Sequence, residues 1–284
     1  MLNRFAKAAL AAVGLHVCWR DNQQRGVDWM LDLTRHVPTT TNDRGGGGGG
    51  GGRIFLDVGA NIGQTSLALV ERFPAATIHA FEPVSSTFEH LRAATRAYPN
   101  ITCHRAGLSD RAGTIEFEAA PDSVFNSIAQ PGRAADPAAP REFAPVITID
   151  QFIADLGVAR VDLLKTDTEG HDLNVLRGAA DALARGTIRA VFTEVTFCRG
   201  NARNTYFPLV QEFLEPLGYR FIGLYDMHWF QTKRWNETFC NALFVRDDAL
   251  APIATPAPAD SLRPSPGLQP QVPSSITKGI GVEV

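Results

Sequence analysis

The alternation of strand-like and helix-like segments between residues 53 and 248 constrains the fold of this chain most. Short apolar runs typical of buried strands recur there, and segments with apolar residues at helical spacing follow most of them. Parallel strands need long crossover connections, usually helices, so the alternation predicts an α/β fold with a mainly parallel sheet. The predicted strands are 53–58, 76–82, 101–105, 161–167, 188–194, 219–224 and 240–246, and the predicted helices are 62–73, 84–97, 150–157, 172–185 and 205–216.

Residues 106–149 depart from this alternation. The run from Thr114 to Glu118 alternates like an exposed strand, and the run from Pro145 to Ile149 is strand-like again. A loop-like stretch rich in alanine and proline separates the two runs. The sequence therefore predicts an insertion after the third strand.

Two low-complexity stretches bracket the predicted sheet. Residues 38–52 end in eight consecutive glycines, which gain too little from side-chain packing to offset their backbone entropy. Residues 251–284 carry repeated prolines and few large apolar side chains. We therefore predict an N-terminal helical segment at 1–37, a glycine-rich linker at 38–52, a folded domain at 53–250 and a proline-rich disordered tail at 251–284.

The predicted N-terminal helical segment carries much apolar surface. Its stretch from Ala8 to Val17 is too short to span a bilayer, and no signal-peptide cleavage site follows it. The whole segment has more apolar side chains than a free helix should expose. We expect it to dock on the folded domain, on a second subunit of a homo-oligomer or on a membrane surface.

Charge and cysteine usage exclude several classes of protein. Lys and Arg number 27 against 30 acidic residues, for a net charge of -3, without the long basic cluster of a phosphate-backbone binder. Nucleic acid is therefore not an expected partner. The four cysteines stand far apart with no C-x-x-C pair, which argues against a zinc ribbon and favours a reducing compartment, hence a cytoplasmic location.

The stretch RIFLDVGANIGQTSL, residues 53–67, reads as a strand, a tight turn and a helix. Gly59 and Gly63 suit such a turn, because glycine accepts positive φ and lets a ligand lie against the backbone. The free N–H groups at the helix start add hydrogen-bond donors. The turn is suited to cradle a nucleotide-like ligand, although a tight turn that binds nothing is an alternative reading of this stretch.

Polar residues stand at the ends of several predicted strands, where ligands bind in open α/β sheets. Glu82 lies about 20 residues past the glycine turn, a position suited to accept both hydroxyls of a ribose. A carboxylate that caps the next helix is the structural alternative. Asp57 ends the first strand, where it would repel a diphosphate and attract a cationic amine. The expected ligand has a ribose and a positive charge.

Six strings of the sequence resemble a known family. The strings FLDVGANIGQTSLAL, HAFEP, LSDRAG, VITID, DLLKTDTEGHDLNVLRGA and NALFVR, in this order over about residues 53–247, are similar to the FkbM family of S-adenosylmethionine-dependent methyltransferases. The resemblance implies a Rossmann-like class I methyltransferase fold with a mostly parallel seven-stranded sheet whose last strand is antiparallel. It also implies methyl transfer to a hydroxyl oxygen of a sugar, glycan or natural product.

The resemblance further implies roles for single residues. The methionine part of S-adenosylmethionine would be held by four residues of the glycine turn, the ribose by the acid at the end of the second strand, and the adenine would lie near a later turn. In this order the residues are Asp57, Gly59, Asn61 and Gly63, then Glu82, then Ser109 and Asp110.

Asp167, Glu169 and His171 follow the fourth long strand, where the transferred methyl group is expected. Methyl transfer to oxygen requires alignment of the acceptor and removal of one proton. Asp167 is the better placed base and His171 the better tuned one by its intrinsic pKa, so both are predicted catalytic residues. A divalent metal held by these side chains is an alternative that we do not favour, because Glu169 also suits the start of the next helix.

Lys165 lies among apolar residues in the middle of a predicted strand. Because a buried lysine is rarely left unpaired, we expect a structural ion pair with Asp167 or Glu194. The predicted walls of the acceptor site are the aromatic residues of 224–235 and the segment Phe125-Asn126-Ser127. Two other functional classes stay open beside the methyltransferase, namely a dinucleotide-dependent oxidoreductase and a binding protein that has kept this fold without its chemistry.

Overall fold

The computed structural model describes residues 26–37, 52–118, 141–201, 203–228 and 238–248. The strands are β1 (Ile54–Val58), β2 (Thr77–Phe81), β3 (Ile101–His104), β4 (Gly107–Leu108), β5 (Gly113–Glu118), β6 (Arg141–Ile147), β7 (Leu163–Thr166), β8 (Ala190–Thr196), β9 (Thr205–Tyr206), β10 (Tyr219–His228) and β11 (Phe239–Arg246). The helices are α1 (Trp29–His36), α2 (Gln64–Arg72), α3 (Ser85–Thr95), α4 (Ile149–Leu156), α5 (Asp172–Arg177), α6 (Ala180–Ala184) and α7 (Phe207–Leu214).

The main sheet has the strand order β10-β11-β8-β7-β1-β2-β3, with the short β9 added beside β8. The pairs from β3 across to β8 are parallel, and β11 runs antiparallel to both of its neighbours. The predicted fold class is therefore confirmed, including the reversed last strand. The order changes direction at β1, so the carboxyl ends of β1 and β7 border the crevice where ligands bind in such sheets.

Helices cover both faces of this sheet. Phe55 and Leu56 are consecutive in β1 and so point to opposite faces. Phe55 packs in a core cluster with Leu69 of α2, whereas Leu56 packs in a second cluster with Val175 of α5. Because both faces are buried, the central strands read as nearly continuous apolar runs, which is the pattern that made them predictable.

The insertion predicted at 106–149 contains a second, three-stranded sheet in the order β4-β6-β5. Glu142 of β6 joins this sheet to the main one. Its Oε1 accepts hydrogen bonds from the backbone N–H of Ser85 at 2.9 Å, from the Ser85 hydroxyl, and from Arg105 at 2.8 Å. The small sheet is thus fixed at the start of α3.

Two predicted helices differ in the structure. The helix expected at 172–185 is two short helices, α5 and α6, because the chain turns at Gly178. A β-carbon at Gly178 would lie 2.0 Å from the carbonyl oxygen of Ser109, so this close approach requires glycine. The helix expected at 205–216 begins two residues later, after β9, and ends in a 3-10 turn that contains Pro216.

Helix α1 docks on the sheet. Asp28 caps its first turn by accepting from the N–H of Leu31 at 3.0 Å. Trp29 stacks on Phe192 with 4.2 Å between the ring centroids, and the Tyr225 hydroxyl donates to Asp32 at 2.8 Å. No helix in the described ranges combines the length and apolar character needed to cross a bilayer. The predicted domain boundaries stay predictions, because 1–25, 38–51 and 249–284 lie outside the described residues.

Candidate active site

A cavity of about 400 Å³ opens at the carboxyl ends of the central strands. Its size is within the usual range for small-molecule sites. Four carboxylic acids contribute to its wall together with backbone and apolar groups. The lining residues are Val58, Gly59, Asn61, Gln64, Glu82, Pro83, Val84, Thr87, Ala106, Gly107, Leu108, Asp167, Thr168, Glu169, Glu194 and Phe239.

The turn between β1 and α2 forms the floor of this cavity. Gly59 has φ of 71°, and a β-carbon there would lie 1.9 Å from the carbonyl oxygen of Asp167. Gly63 has φ of 99° and is the N-cap of α2. Asn61, between them, also takes a positive φ of 50°, which asparagine tolerates better than most residues. The two glycines are therefore required by backbone geometry, as the sequence predicted.

Lys165 and Asp57 form a buried ion pair behind the floor. They face each other across the β1–β7 pairing, with 3.0 Å between Lys165 Nζ and Asp57 Oδ1. The contact is an ion pair rather than an aligned hydrogen bond, because Oδ1 has no hydrogen-bond partner. Nζ donates instead to the carbonyl oxygen of Gly59 at 2.9 Å and lies 3.7 Å from Asp167 Oδ2.

The structural ion pair predicted for Lys165 is thus confirmed with Asp167, while the nearer partner, Asp57, was not predicted. Burial by itself would lower the pKa of Lys165, but the Asp57 and Asp167 carboxylates outweigh it and raise that pKa. Asp57 also accepts from the Ser66 hydroxyl at 2.6 Å. Its charge is therefore committed within the protein rather than presented to the cavity.

Glu82 lies at the opposite side of the turn, one residue past the end of β2. Its carboxylate accepts from the N–H of Asn61 at 3.1 Å and from the N–H of Val84 at 2.9 Å. Burial raises the pKa of Glu82 to about 7, against the opposing effect of these two hydrogen bonds. The side chain is held in place by backbone donors and still forms part of the cavity wall.

Asp167, Glu169 and Glu194 form the acidic end of the cavity. Asp167 and Glu169 follow β7, and Glu194 lies near the end of the adjacent strand β8. Arg203 pairs with Glu169 at 3.0 Å. Glu194 accepts a hydrogen bond from the side-chain amide of Asn204, which is neutral. Asp167 is therefore paired with Lys165, and Glu169 is paired with Arg203.

Glu194 is the most perturbed acid of this group. It is 7% exposed, and burial together with the Asp167, Asp172 and Glu169 charges raises its pKa to about 9. Asp172, fully buried at the start of α5, accepts from the N–H of Thr168 at 3.1 Å, and burial raises its pKa to about 6. Among the described residues, the acidic end therefore has more carboxyl groups than its two cations, Lys165 and Arg203, can pair with.

His171 and Ser109 lie beside the cavity rather than on its wall. The Ser109 hydroxyl is 2.9 Å from His171 Nε2 and donates to Asp110 at 3.0 Å. The side-chain amide of Asn174 is 3.1 Å from His171 Nδ1. Burial lowers the pKa of His171, and the nearby Asp110 charge opposes that shift.

The structure therefore brings only part of the predicted site to the cavity. The predicted residues on its wall are Gly59, Asn61, Glu82 and Asp167. Asp57 and Gly63 support the floor from behind, and Ser109, Asp110 and His171 form their own hydrogen-bonded group. The roles predicted for all of these residues stay predictions.

Several lining residues were not assigned a role by sequence reasoning. Thr168 is the most informative of these; Glu194, predicted only as a possible partner of Lys165, also lines the cavity, and both stand at strand ends that the sequence had located. Among the described residues, the side-chain oxygen of Asn61 and the hydroxyl of Thr168 are buried without an aligned hydrogen-bond partner, although the Thr168 hydroxyl is near enough to Asp172 to lower the pKa of that carboxyl. Such atoms are rare in folded proteins, and both residues line the cavity. No sequence signal separates Thr168 from an ordinary strand-end threonine.

Two further expectations concern a metal ion and the walls of the acceptor site. Within the described ranges, no group of three or more histidine, cysteine or acidic side chains is arranged to hold a metal ion. Of the predicted acceptor walls, the segment Phe125-Asn126-Ser127 and residues 229–237 lie outside the described residues. Tyr225 contacts Asp32 and Phe192 in the core instead.

Residues 57–221 match the methyltransferase FkbM domain. The chain belongs to this family. The suspected resemblance is thereby confirmed, and the glycine turn, the Glu82 strand and the acidic end of the cavity all lie within the matched range. The FkbM domain thus includes every described residue of the cavity wall except Phe239.

Curated relatives of the FkbM domain cover only part of this chain. Methyltransferase sdnD of Sordaria araneosa is 30% identical over 152 residues, 43% of this chain and 59% of that protein. The 31-O-demethyl-FK506 methyltransferase FkbM of Streptomyces tacrolimicus is 30% identical over 45% of this chain and 60% of that protein. Hexuronic acid methyltransferase AglP of Haloferax volcanii is 32% identical over 46% and 51%, respectively. The chain spans about half the length of these relatives.

Among solved structures, magnesium protoporphyrin IX methyltransferase (ChlM) from Synechocystis PCC 6803 is similar at 12% identity with a TM-score of 0.41. The similarity covers 69% of this chain and 71% of that one. It is a distant similarity of the backbone and says nothing about the reaction.

Proposed function

We propose that this protein is an S-adenosylmethionine-dependent O-methyltransferase that acts on a hydroxyl group of a sugar, glycan or natural product. Membership of the FkbM methyltransferase family supports methyl transfer. The observation that supports this cofactor best is the charge of the cavity wall. It contains four carboxylic acids, Glu82, Asp167, Glu169 and Glu194, and none of its described residues is lysine or arginine.

This wall fits a ligand with positive charge and disfavours a dinucleotide. A diphosphate needs backbone donors or basic side chains and is repelled by carboxylates. The glycine pattern of a dinucleotide site would also require glycine where Asn61 and Gln64 stand. S-adenosylmethionine supplies, when bound, a methyl group on a cationic sulfonium together with a ribose and an ammonium group.

The residues that would hold this cofactor have the required donors and acceptors. Glu82, fixed by two backbone N–H groups, is suited to accept from the ribose hydroxyls. The unpartnered oxygens of Asn61 and Thr168 are suited to accept from the ammonium group. Gly59 lies on the cavity wall, and its close contact with the carbonyl oxygen of Asp167 requires a residue without a side chain.

Asp167 is the residue we propose as the proton acceptor for the hydroxyl of the substrate. Its side chain is 41% exposed and lies on the cavity wall, so an acceptor can approach it. Lys165 Nζ, 3.7 Å from Asp167 Oδ2, holds this side chain at the end of β7. His171, predicted as an alternative base, is a less direct candidate because Ser109 and Asn174 occupy its two ring nitrogens.

The acceptor class rests on the named relatives. The Streptomyces tacrolimicus relative is a 31-O-demethyl-FK506 methyltransferase, and the Haloferax volcanii relative is a hexuronic acid methyltransferase. We therefore propose a sugar-like or natural-product hydroxyl as the acceptor and do not propose nucleic acid as a partner. We also propose a cytoplasmic location, because the spacing of the cysteines favours a reducing compartment.

Calorimetric titration of the full-length protein with S-adenosylhomocysteine and, separately, with NAD tests the proposal. We expect micromolar or tighter binding of S-adenosylhomocysteine and no heat with NAD. The reverse result would favour an oxidoreductase. Incubation with isotopically methyl-labelled S-adenosylmethionine and a panel of methyl glycosides and macrolide polyols then tests transfer. Cofactor binding without transfer to any member of a broad panel would favour a binding protein of this family.

A further inference from the structure

The acidic end of the cavity contains a carboxyl group, that of Glu194, which has no cationic partner among the described residues. Lys165 is committed to Asp57, Asp167 and the carbonyl oxygen of Gly59. Arg203 is committed to Glu169. Glu194, 7% exposed, has the neutral amide of Asn204 as its hydrogen-bond donor and otherwise faces the cavity.

The acidic groups around Glu194 raise its pKa, as burial does, and the hydrogen bond from Asn204 opposes them. Asp167 and Glu169 follow the adjacent strand β7, and Asp172 begins the helix that comes after them. These three acids disfavour a further negative charge at Glu194. Cys240 of the neighbouring strand β11 is buried, and burial raises the pKa of its thiol, so it adds no negative charge near neutral pH. Burial and these charges therefore favour the protonated form of Glu194 near neutral pH.

A cation placed in the cavity would change this balance. A positive charge near a carboxyl group in a site of low dielectric favours the ionised form of that group. The buried oxygens of Asn61 and Thr168, which line the same cavity, have no aligned hydrogen-bond donor among the described residues. Both observations describe a receptor for a cationic ligand that also donates hydrogen bonds.

We propose that Glu194 is the cation-sensing carboxyl of this site, which releases its proton when S-adenosylmethionine binds and keeps it when the neutral thioether product S-adenosylhomocysteine binds. This inference rests on the proposed function. It assigns Glu194 a binding role toward the sulfonium that neither the glycine turn nor Glu82 performs. The proton balance is simple: the carboxylic acid becomes a carboxylate, and the proton passes to the buffer.

Calorimetry in buffers of different ionisation enthalpy measures this release. The full-length protein is titrated with S-adenosylmethionine and with S-adenosylhomocysteine at about pH 8, in phosphate and in Tris. At this pH Glu82, with a pKa of about 7, is already ionised, whereas Glu194, with a pKa of about 9, still carries its proton. The difference in heat between the buffers gives the number of protons released.

Glu194→Gln is the decisive variant, because glutamine keeps the shape and the hydrogen bond but has no proton to release. The amino group of each ligand titrates equally in both proteins and cancels in the comparison. With S-adenosylmethionine, we expect the parent to release up to about one proton more than the variant. With S-adenosylhomocysteine, the parent and the variant should release the same number of protons. Glu194→Gln should also lower the preference for S-adenosylmethionine by about threefold or more.

Glu169→Gln is the matched control, since Glu169 lines the same cavity but has Arg203 as its partner. It should retain the extra proton release of the parent. Equal proton release by the parent with both ligands, after correction for the protonation of each free ligand's amino group, would overturn the inference even if Glu194→Gln did not fold. A parent that binds both ligands without this difference leaves the proposed function standing, whereas a parent that binds neither ligand overturns the proposed function itself.

Discussion

Lys165 and Asp57 face each other on adjacent parallel strands, 3.0 Å apart, and are 4% and 0% exposed. This pair connects the floor of the cavity to the centre of the sheet, because Lys165 also donates to the carbonyl oxygen of Gly59. A buried ion pair of this kind is costly to break from one side, since the remaining charge stays in the interior.

Lys165→Met should therefore destabilise the protein by about 3 to 5 kcal/mol, because it leaves Asp57 buried without its cation. Urea unfolding followed by circular dichroism measures the change. The control is the double variant Lys165→Met with Asp57→Asn, which removes the orphaned charge and should recover part of the loss. Equal stability of the parent and the single variant would show that the pair does not support the fold.

Glu82→Ala should weaken binding of S-adenosylhomocysteine by about 2 to 3 kcal/mol, the scale of lost hydrogen bonds to a charged group. Calorimetry measures the affinity. Because the carboxylate must be ionised to accept from two hydroxyls, and burial raises its pKa to about 7, the affinity of the parent should also increase as the pH rises through about 7. Glu82→Gln should show no such pH dependence. Parent-like affinity in Glu82→Ala would remove the ribose assignment.

Asp167→Asn should lower kcat by about 100-fold or more if Asp167 takes the proton of the acceptor. His171→Ala should lower it less, because His171 is hydrogen-bonded to Ser109 and Asn174 beside the cavity. Steady-state kinetics measures both losses, with an acceptor that the panel has identified as a substrate for methyl transfer. A larger loss for His171→Ala than for Asp167→Asn would transfer the role of base to His171.

The free energy of unfolding should depend on Glu194 through its titration. Burial raises its pKa to about 9, above the value of 4.5 expected for an unperturbed glutamate, so the folded protein binds this proton more tightly than the unfolded chain. The stabilisation is complete below about pH 4.5 and is lost as the pH rises through about 9. Urea unfolding from about pH 5 to about pH 9 should show a steeper decline for the parent than for Glu194→Gln. Parallel curves would contradict the raised pKa.

Removal of residues 1–37 should lower stability while cofactor affinity is kept. It would uncover Phe192, on which Trp29 stacks, and remove the Asp32 carboxylate that accepts from Tyr225. A chain of residues 38–284, which lacks only this segment, tests this by thermal unfolding and calorimetry. Tyr225→Phe in the full-length chain isolates the hydrogen bond, which should contribute about 1 to 2 kcal/mol. Loss of cofactor binding on truncation would place the N-terminal segment within the folded domain.

The strands were predictable because burial on both faces makes their apolar runs continuous, and Gly59 and Gly63 because few other residues accept their backbone angles. Of the two partners of Lys165, Asp167 was predictable from the sequence and Asp57 was not. A strand pattern gives the face on which a side chain lies but not the register between strands distant in sequence, and it is register that brings Asp57 opposite Lys165. The contact of Gly178 with Ser109, which divides the predicted helix 172–185, could not be predicted either, because it joins two segments that are distant in sequence.

The antiparallel pairing of β5 with β6 sets six residues against six, from Gly113 opposite Val146 to Glu118 opposite Arg141. Residues 119–140 join the open end of this ladder, while Glu142 fixes its strand β6 to the start of α3. The length of chain between the two strands can therefore change without altering their register or the position of Glu82. For protein engineering, this connection is therefore the place to insert or remove a segment while the wall of the cavity keeps its geometry.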